Sequence, residues 1–154
     1  MRDGSTKAVR DIVKGDQVAT RADGVASYAT IQCLIKFEIP SKRKRLCRFE
    51  NGLLVTPGHP ILHQGEWAFP RDVQAVERLE CDAVYNLIVD RHHVVFVNDV
   101  PLILPGHGFE EGILKHEYLG TTRVIEDLKQ VRGWSEGAIT LRCDLSPNIR
   151  KYQH

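Results

Sequence analysis

Short β-favouring runs separated by turn signals make up most of the first hundred residues. The longest run, SYATIQCLIKFEI (27–39), is rich in β-branched and aromatic residues, and AVYNLIVD (83–90) has the same character. Asn51-Gly52 separates the apolar runs RLCRFE and LLVT. Asn-Gly between two such runs is the strongest short-range hairpin signal, so a hairpin is predicted there.

Three further stretches extend the same pattern. KAVRDI (7–12) alternates and predicts a strand, and VVFVNDVPLIL (94–104) predicts more short strand structure. Gln64-Gly65 lies at the centre of a second predicted hairpin, PILHQGEWAF. Together these patterns predict an all-β fold, a compact system of short antiparallel strands.

The hydrophobic pattern changes to a helical one towards the C-terminus. TRVIEDLKQVR (122–132) places Val124, Leu128 and Val131 on one helical stripe, and EEGILKHEYL (110–119) has similar spacing. A partly helical segment is therefore predicted to follow the strands.

This change of pattern sets the predicted organisation. Residues 1–108 are expected to form one β domain, and residues 109–154 a C-terminal extension packed on it. Within that extension EGAITLRCDLS (136–146) predicts one last strand. A chain of 154 residues suits a single well-buried domain.

The composition mainly excludes classes of binding partner. A net charge of +1 does not favour nucleic acid or membrane partners, and no membrane span or secretion signal is present, so neither partner is expected. The basic run SKRKR (41–45) is interpreted as a solvated hairpin tip. A monomer is expected.

The cysteines indicate the compartment. Cys33, Cys47 and Cys81 lie among apolar or strand-like neighbours, and no CxxC pair occurs. Buried free thiols are therefore predicted rather than disulfides or zinc ligands, and a reducing, cytoplasmic location is expected.

The histidines do not have the spacing of a metal site. His59 and His63 are four residues apart, but Pro60 excludes a helix and a strand would separate them by about 13 Å. No zinc-like ligand spacing, GxSxG motif or glycine-rich phosphate loop occurs. No metal or cofactor is predicted.

The stretch LLVTPGHPIL (53–62) has two interpretations. In one, Thr56 caps a turn and His59 is a half-exposed turn residue. In the other, Thr56 and Gly58 hold the imidazole of His59 so that it donates a proton to an amide nitrogen, which breaks the resonance of a peptide bond under attack. Taken alone, the stretch favours the first interpretation.

Several motifs taken together change that balance. DGSTKAVRDIVKGDQV (3–18), TPGHPIL (56–62) and YNLIVDRHHVVFVN (85–98) resemble, in this order, the Hint fold of hedgehog autoprocessing domains and inteins. GEWAFPRDV (65–73) and LPGHGF (104–109) resemble the branch attached to von Willebrand factor A proteins, the Vint group. The resemblance covers residues 2–120.

The resemblance implies self-processing. In such domains an N-terminal Cys or Ser attacks the preceding peptide bond and gives a thioester or ester, which a second nucleophile resolves. Thr56 and His59 match the residues that activate the scissile amide, His93 the histidine of the YDL motif, and His107 the histidine before the terminal Asn of inteins. The substrate implied is the chain's own N-terminally attached polypeptide, without turnover.

The chain departs from the family pattern in three places. The strand carrying the nucleophile normally precedes the DGS turn and is not in this sequence, so the chain by itself is expected to be inactive. Asn86 stands where inteins have Asp, and an amide only orients through hydrogen bonds. Gly108 replaces the terminal Asn, which excludes its cyclisation and argues against splicing.

Three functions therefore stay open. The first is N-terminal cleavage or acyl transfer, and the second is a catalytically degenerate Hint-fold interaction module. The third, which the histidine spacing favours least, is a small histidine metalloprotein. The first requires that His59 and His107 lie near each other and near the start of the chain.

Overall fold

The computed structural model describes residues 1–142, and short strands in three sheets are the main regular structure of this part of the chain. The predicted all-β fold class is confirmed. Cys143, His154 and the end of the predicted last strand lie outside the described residues.

Most of the strands and helices are short. A 3₁₀ helix (Val9–Asp11) precedes the first strand, and another (Gly112–Leu114) precedes the last α-helix. The other elements are β1 (Gln17–Ala22), β2 (Val25–Glu38), β3 (Arg43–Arg48), β4 (Leu54–Val55), β5 (Ile61–His63), β6 (Glu66–Ala68), α1 (Pro70–Val73), β7 (Val76–Glu80), β8 (Ala83–Val89), β9 (Val94–Val97), β10 (Val100–Ile103), α2 (Thr122–Lys129) and β11 (Ala138–Arg142).

The long strand β2 organises the largest sheet. Its first half pairs antiparallel with β1 through the turn at Asp23-Gly24, and its second half pairs antiparallel with β8 and parallel with β11. The pairing with β8 shifts register between Ile31 and Cys33, which marks a bulge. One strand thus joins the N-terminal hairpin to the C-terminal part of the described chain.

The sheet of order β6-β5-β10-β9 positions the TPGH stretch. Its hairpin turns at Gln64-Gly65 and Asn98-Asp99 have both central residues at positive φ, the geometry that suits the strand twist in two-residue loops. Between the two hairpins, Ile61 of β5 pairs with Leu102 of β10. This pairing brings the residues before β5 beside those after β10.

The third sheet has the order β4-β3-β7. The predicted Asn51-Gly52 turn joins β3 to β4, and Gly52 has a φ of +87° that favours glycine. SKRKR is exposed except for the half-buried Lys44, but it is not a hairpin tip. Its last three residues belong to β3, which pairs with β4 and β7 and not with the preceding strand.

Two hydrophobic clusters form most of the core. The first lies between the sheets and contains Ile12, Val18, Ala29, Ile31, Cys47, Leu53, Val55, Ile61, Leu87, Val89, Val95, Leu102 and Leu104. The second joins β2, β8 and β11 to α2, because Val124 and Leu128 are fully buried against Ile35 and Ile88. The predicted helical stripe is confirmed for Val124 and Leu128, whereas Val131 follows the end of α2 and packs against the same cluster.

Two predicted elements differ in the structure. Within KAVRDI, Val9–Asp11 form the first 3₁₀ helix with no buried residue, whereas Ile12 belongs to the core, and no strand within residues 1–142 pairs with this stretch. EEGILKHEYL contains only the second 3₁₀ helix. There the ring Nδ1 of His116 accepts the N–H groups of Tyr118 and Leu119, and such local bonds compete with helix formation.

No helix within residues 1–142 has the length and apolar character needed to cross a membrane.

Candidate functional site

The TPGH stretch forms a tight turn immediately before β5. The N–H of His59 donates to the carbonyl of Thr56 at 3.2 Å, and the N–H of Ile103 donates to the carbonyl of Pro60 at 3.2 Å. These bonds continue the pairing of β5 with β10. They place the side chain of His59 beside the end of β10.

The imidazole of His59 is held in one tautomer. Its Nε2 lies 2.6 Å from the carbonyl oxygen of Ile103, and since a carbonyl only accepts, Nε2 carries the hydrogen. In the neutral ring Nδ1 is then an unprotonated acceptor. Burial lowers the pKa of His59, and the bond to Ile103 opposes this in part, so the ring is neutral near pH 7.

A cavity of about 550 Å³ brings together three of the five predicted site residues: His59, Asn86 and His107. Lys115 and Arg71 also line it, and no carboxylate does so among the described residues. The guanidinium of Arg71 stacks 4.3 Å from the ring centroid of Phe69 at the cavity wall. The site thus combines imidazoles, an amide and two cations.

Asn86 lines this cavity and carries a hydrogen-bond donor that is unpaired among the described residues. It lies on β8, and its Oδ1 accepts the N–H of Leu87 at 2.9 Å. Its Nδ2 has no partner within residues 1–142. The bound oxygen orients the amide, so the NH₂ group is free for a ligand.

His107 is also held in one tautomer. Its Nδ1 accepts the N–H of Phe109 at 2.9 Å, and its ring stacks on that of Phe109 with centroids 5.4 Å apart. Burial, followed by the nearby rings of His93 and His116, lowers the pKa of His107 to about 4. The ring is therefore neutral at physiological pH, with its hydrogen on Nε2.

His93 lies behind the His107 loop. It is absent from the cavity wall, and its buried Nδ1 has no hydrogen-bond partner within the described chain. A Cβ on Gly106 would lie 3.7 Å from its Cε1. Burial lowers the pKa of His93, and the nearby carbonyl of Pro105 opposes this shift in part. His93 therefore supports the loop and does not line the cavity.

Thr56 lies on a different surface. It lines a second cleft with Pro57 and Gly58, and within residues 1–142 its hydroxyl makes no hydrogen bond to the ring of His59. Its connection to His59 runs through its backbone carbonyl. The predicted role of Thr56 in amide activation stays a prediction.

His116 joins the site although the sequence did not mark it. It lines the cavity, and its Nδ1 accepts from Tyr118 at 3.1 Å and from Leu119 at 2.9 Å. Backbone bonds from Gly106 to Leu119 and from Gly108 to Gly120 hold this segment against the His107 loop. A histidine shortly after the GHG motif was the one available signal.

The described thiols lie away from the cavity. Cys33 and Cys47 are buried and free, as predicted, and Cys81 is free and half-buried. Burial raises the pKa of Cys33 to about 11 and also raises that of Cys47 and Cys81. None of these three lines the cavity, so none is placed to act as its nucleophile.

The sequence and fold of the chain are similar to those of known proteins. Residues 1–150 match the family model Vint, described as a Hint-domain. Among solved structures, the chain is similar to a variant of the Ssp DnaB mini-intein, with 10% identity and a TM-score of 0.48. That similarity covers 62% of this chain and 81% of the mini-intein chain. No curated protein sequence matches this chain.

Proposed function

Because this chain belongs to the Vint family of Hint domains, we propose that it acts on the peptide bond joining it to a preceding polypeptide. The proposed reaction is an N-to-S or N-to-O acyl shift, in which a thiol or hydroxyl replaces the amide nitrogen on the acyl carbon. One observation carries the proposal: His59, Asn86 and His107 line a single cavity.

His59 is proposed to move the proton. Its Nδ1 takes the proton of the attacking thiol or hydroxyl while the new bond to the acyl carbon forms. The imidazolium then protonates the amide nitrogen, and the carbon–nitrogen bond breaks. Burial lowers the pKa of His59, which makes the imidazolium a stronger acid for this second step.

Asn86 is proposed to stabilise the oxyanion of the tetrahedral intermediate. Its Nδ2 is a donor without a partner among residues 1–142, and its Oδ1 is already bonded to Leu87. A preoriented donor of this kind acts where negative charge develops. An amide therefore has a role at a position where inteins have Asp, although it does not transfer protons.

His107 is proposed to donate a hydrogen bond from Nε2 to the reacting group. It stays neutral at physiological pH because its pKa is lowered to about 4. His93 is proposed as a positioning residue for the loop that carries His107. Thr56 is proposed to take part through the turn whose carbonyl binds the His59 N–H.

The nucleophile is proposed to be a Cys or Ser that precedes the DGS turn in cis. None of the three described cysteines lines the cavity. Gly108 stands in place of a terminal Asn, so the proposal is limited to N-terminal cleavage or acyl transfer. The substrate is the attached polypeptide, and no turnover follows.

Three further points are proposed from the sequence alone. They are attachment to a von Willebrand factor A domain, a cytoplasmic location and a monomeric state. The first rests on the motif resemblance and the other two on composition.

A fusion tests the proposal. A reporter protein is joined to the chain through a strand that carries one Cys, and the fusion is treated with a thiol. The proposal expects a reporter thioester that the thiol releases, identified by mass spectrometry as cleavage before that Cys. A matched fusion with Cys→Ala at the same position should stay intact.

The other candidate is a Hint-fold interaction module without chemistry. A fusion that is folded by circular dichroism, yet gives no thiol-dependent cleavage with either a Cys or a Ser strand, would support that module. Equal cleavage of the Cys and Ala fusions would instead indicate a contaminating protease.

A further inference from the structure

A second cleft adjoins the TPGH turn. It has a volume of about 330 Å³ and shares Pro57 and Gly58 with the histidine cavity. The remaining lining residues are one hydroxyl side chain and four cationic side chains, Thr56, Arg43, Lys44, Arg45 and Arg78. No acidic side chain lines it among the described residues.

The four cations of this cleft are not neutralised by their neighbours. The ion pairs within residues 1–142 involve none of them. Arg43 lies opposite Glu80 in the pairing of β3 with β7 without an ion pair, and its guanidinium donates to the Arg78 carbonyl at 3.4 Å. Lys44 lies near Cys81, whose thiol stays neutral because burial raises its pKa. The cleft therefore keeps its positive charge.

The register of these strands places two of the cations face to face. Arg45 lies directly opposite Arg78 in the antiparallel pair. Like charges at directly opposed positions destabilise a sheet. A negative group bound between the two guanidinium groups would attract both of them and so offset their mutual repulsion.

We infer that this cleft binds the phosphate group of a small molecule. Guanidinium groups match phosphate oxygens with paired N–H donors, and Lys44 adds a point charge. The hydroxyl of Thr56 has no hydrogen-bond partner within the described residues, so it is available as a further donor. The net charge of +1 and the cleft volume favour a small ligand over a long polyanion.

The cleft is connected to His59 through the backbone of the TPGH turn. Thr56 lines the cleft, and its carbonyl accepts the N–H of His59, which lines the neighbouring cavity. Phosphate bound at Thr56 is therefore expected to hold the turn that presents His59. The inference does not depend on peptide-bond cleavage, because binding is measured directly.

The test is an NMR titration of the full chain with inorganic phosphate, at constant ionic strength maintained with chloride. The double variant Arg45→Gln/Arg78→Gln removes two charges from the cleft. Arg10→Gln/Arg132→Gln removes two charges from exposed positions outside it and serves as the matched control. Amide shifts at Thr56, Gly58 and His59 report occupancy.

We expect saturable shifts at these amides in the parent and the control, and at least about tenfold weaker binding in the cleft variant, since a charge-assisted pair is lost. Absent shifts in the parent, or equal weakening in both variants, would overturn the inference. If the double variant does not fold, Arg78→Gln alone is titrated under the same criteria. Titration with a phosphate monoester distinguishes the two possible ligands, free phosphate and a phosphorylated small molecule. Tighter binding of the monoester than of inorganic phosphate would identify the ligand as a phosphorylated molecule.

The last titration uses a short single-stranded oligonucleotide. Binding far tighter than that of phosphate, with a steep loss of affinity as salt rises, would replace the small-molecule assignment with a nucleic acid. Binding no tighter than that of phosphate supports the small ligand.

Discussion

The Nε2–H of His59 donates to the backbone carbonyl of Ile103 at 2.6 Å, across 44 residues of the chain. The bond exists because β5 pairs with β10 immediately beside these two residues. It decides which nitrogen of the ring is protonated. The position of the proton on the His59 ring therefore depends on the correct pairing of two short strands.

The first prediction concerns His59. In the Cys-strand fusion, His59→Ala should reduce the rate of thiol-dependent cleavage by about 10²- to 10⁴-fold, the usual contribution of a positioned acid–base group. His63→Ala is the matched control, because His63 lies on the adjoining strand but not on the cavity wall. Rates are measured by densitometry of gel time courses. Cleavage by His59→Ala at the parental rate would refute the assignment.

The second prediction concerns Asn86. Asn86→Ala should slow cleavage by about 10²- to 10³-fold through loss of an oxyanion donor. It should also reduce the free energy of unfolding by about 1 kcal/mol, because the Leu87 N–H loses its acceptor.

Asn51→Ala separates the two effects of that change. Asn51 bonds the Leu53 N–H in a similar way but lies away from the cavity. It should lose stability and keep the parental cleavage rate. A rate loss of the same size in both variants would mean that Asn86 acts through folding alone.

The third prediction concerns pH and His107. The pKa of His107 is lowered from 6.5 to about 4, so the unfolded state binds more protons between these two pH values. Stability should therefore be complete above about pH 6.5 and fall as the pH drops towards 4, by about 1–2 kcal/mol, because solvent screens the charge of a ring that is only half buried. Urea unfolding at a series of pH values measures this slope.

His107→Gln should flatten this dependence. A residual slope is expected from His59 and His93, whose pKa values are also lowered by burial. Parallel pH profiles for the parent and His107→Gln would show that His107 titrates normally in the folded state.

The fourth prediction concerns the packing of Gly120. A Cβ at this position would lie 2.8 Å from the His116 carbonyl oxygen and 3.1 Å from Cε1 of His107. Gly120→Ala should cost about 1–3 kcal/mol of stability through overpacking. It should also move the His107 ring towards solvent and raise its pKa in an NMR titration.

Gly65→Ala serves as the comparison for that change. Gly65 has a φ of +81° with open space around it, so alanine there should cost about 1 kcal/mol from backbone strain alone. The His107 titration should stay parental. An unchanged His107 pKa in Gly120→Ala would contradict the contact.

Much of the fold was predictable from local signals. The Asn51-Gly52 and Gln64-Gly65 turns form as predicted, because each places a glycine at the positive φ that glycine adopts at low cost. The stripe Val124–Leu128 is buried, because its period matches that of a helix packed on one face. Turn dipeptides and helical periodicity depend only on residues close together in sequence, so they predict local structure without knowledge of the tertiary contacts.

Other stretches show the limit of such signals. KAVRDI alternates as a strand does, yet its residues Val9–Asp11 form a 3₁₀ helix, and no strand within the described residues pairs with them. His116 had no motif of its own, and it reached the cavity through the backbone bonds of the following residues to the His107 loop. Neither outcome depends on neighbouring residues alone.

The sequence by itself determined the β class, the main turns, the family and the choice of His59, Asn86 and His107 as candidate site residues. Only the tertiary structure decided that these three share a cavity, that Thr56 lies on a different cleft, and that His93 lies behind the wall. The physical reason is that tautomers, pKa values and cavities arise from burial and from hydrogen bonds between strands distant in sequence.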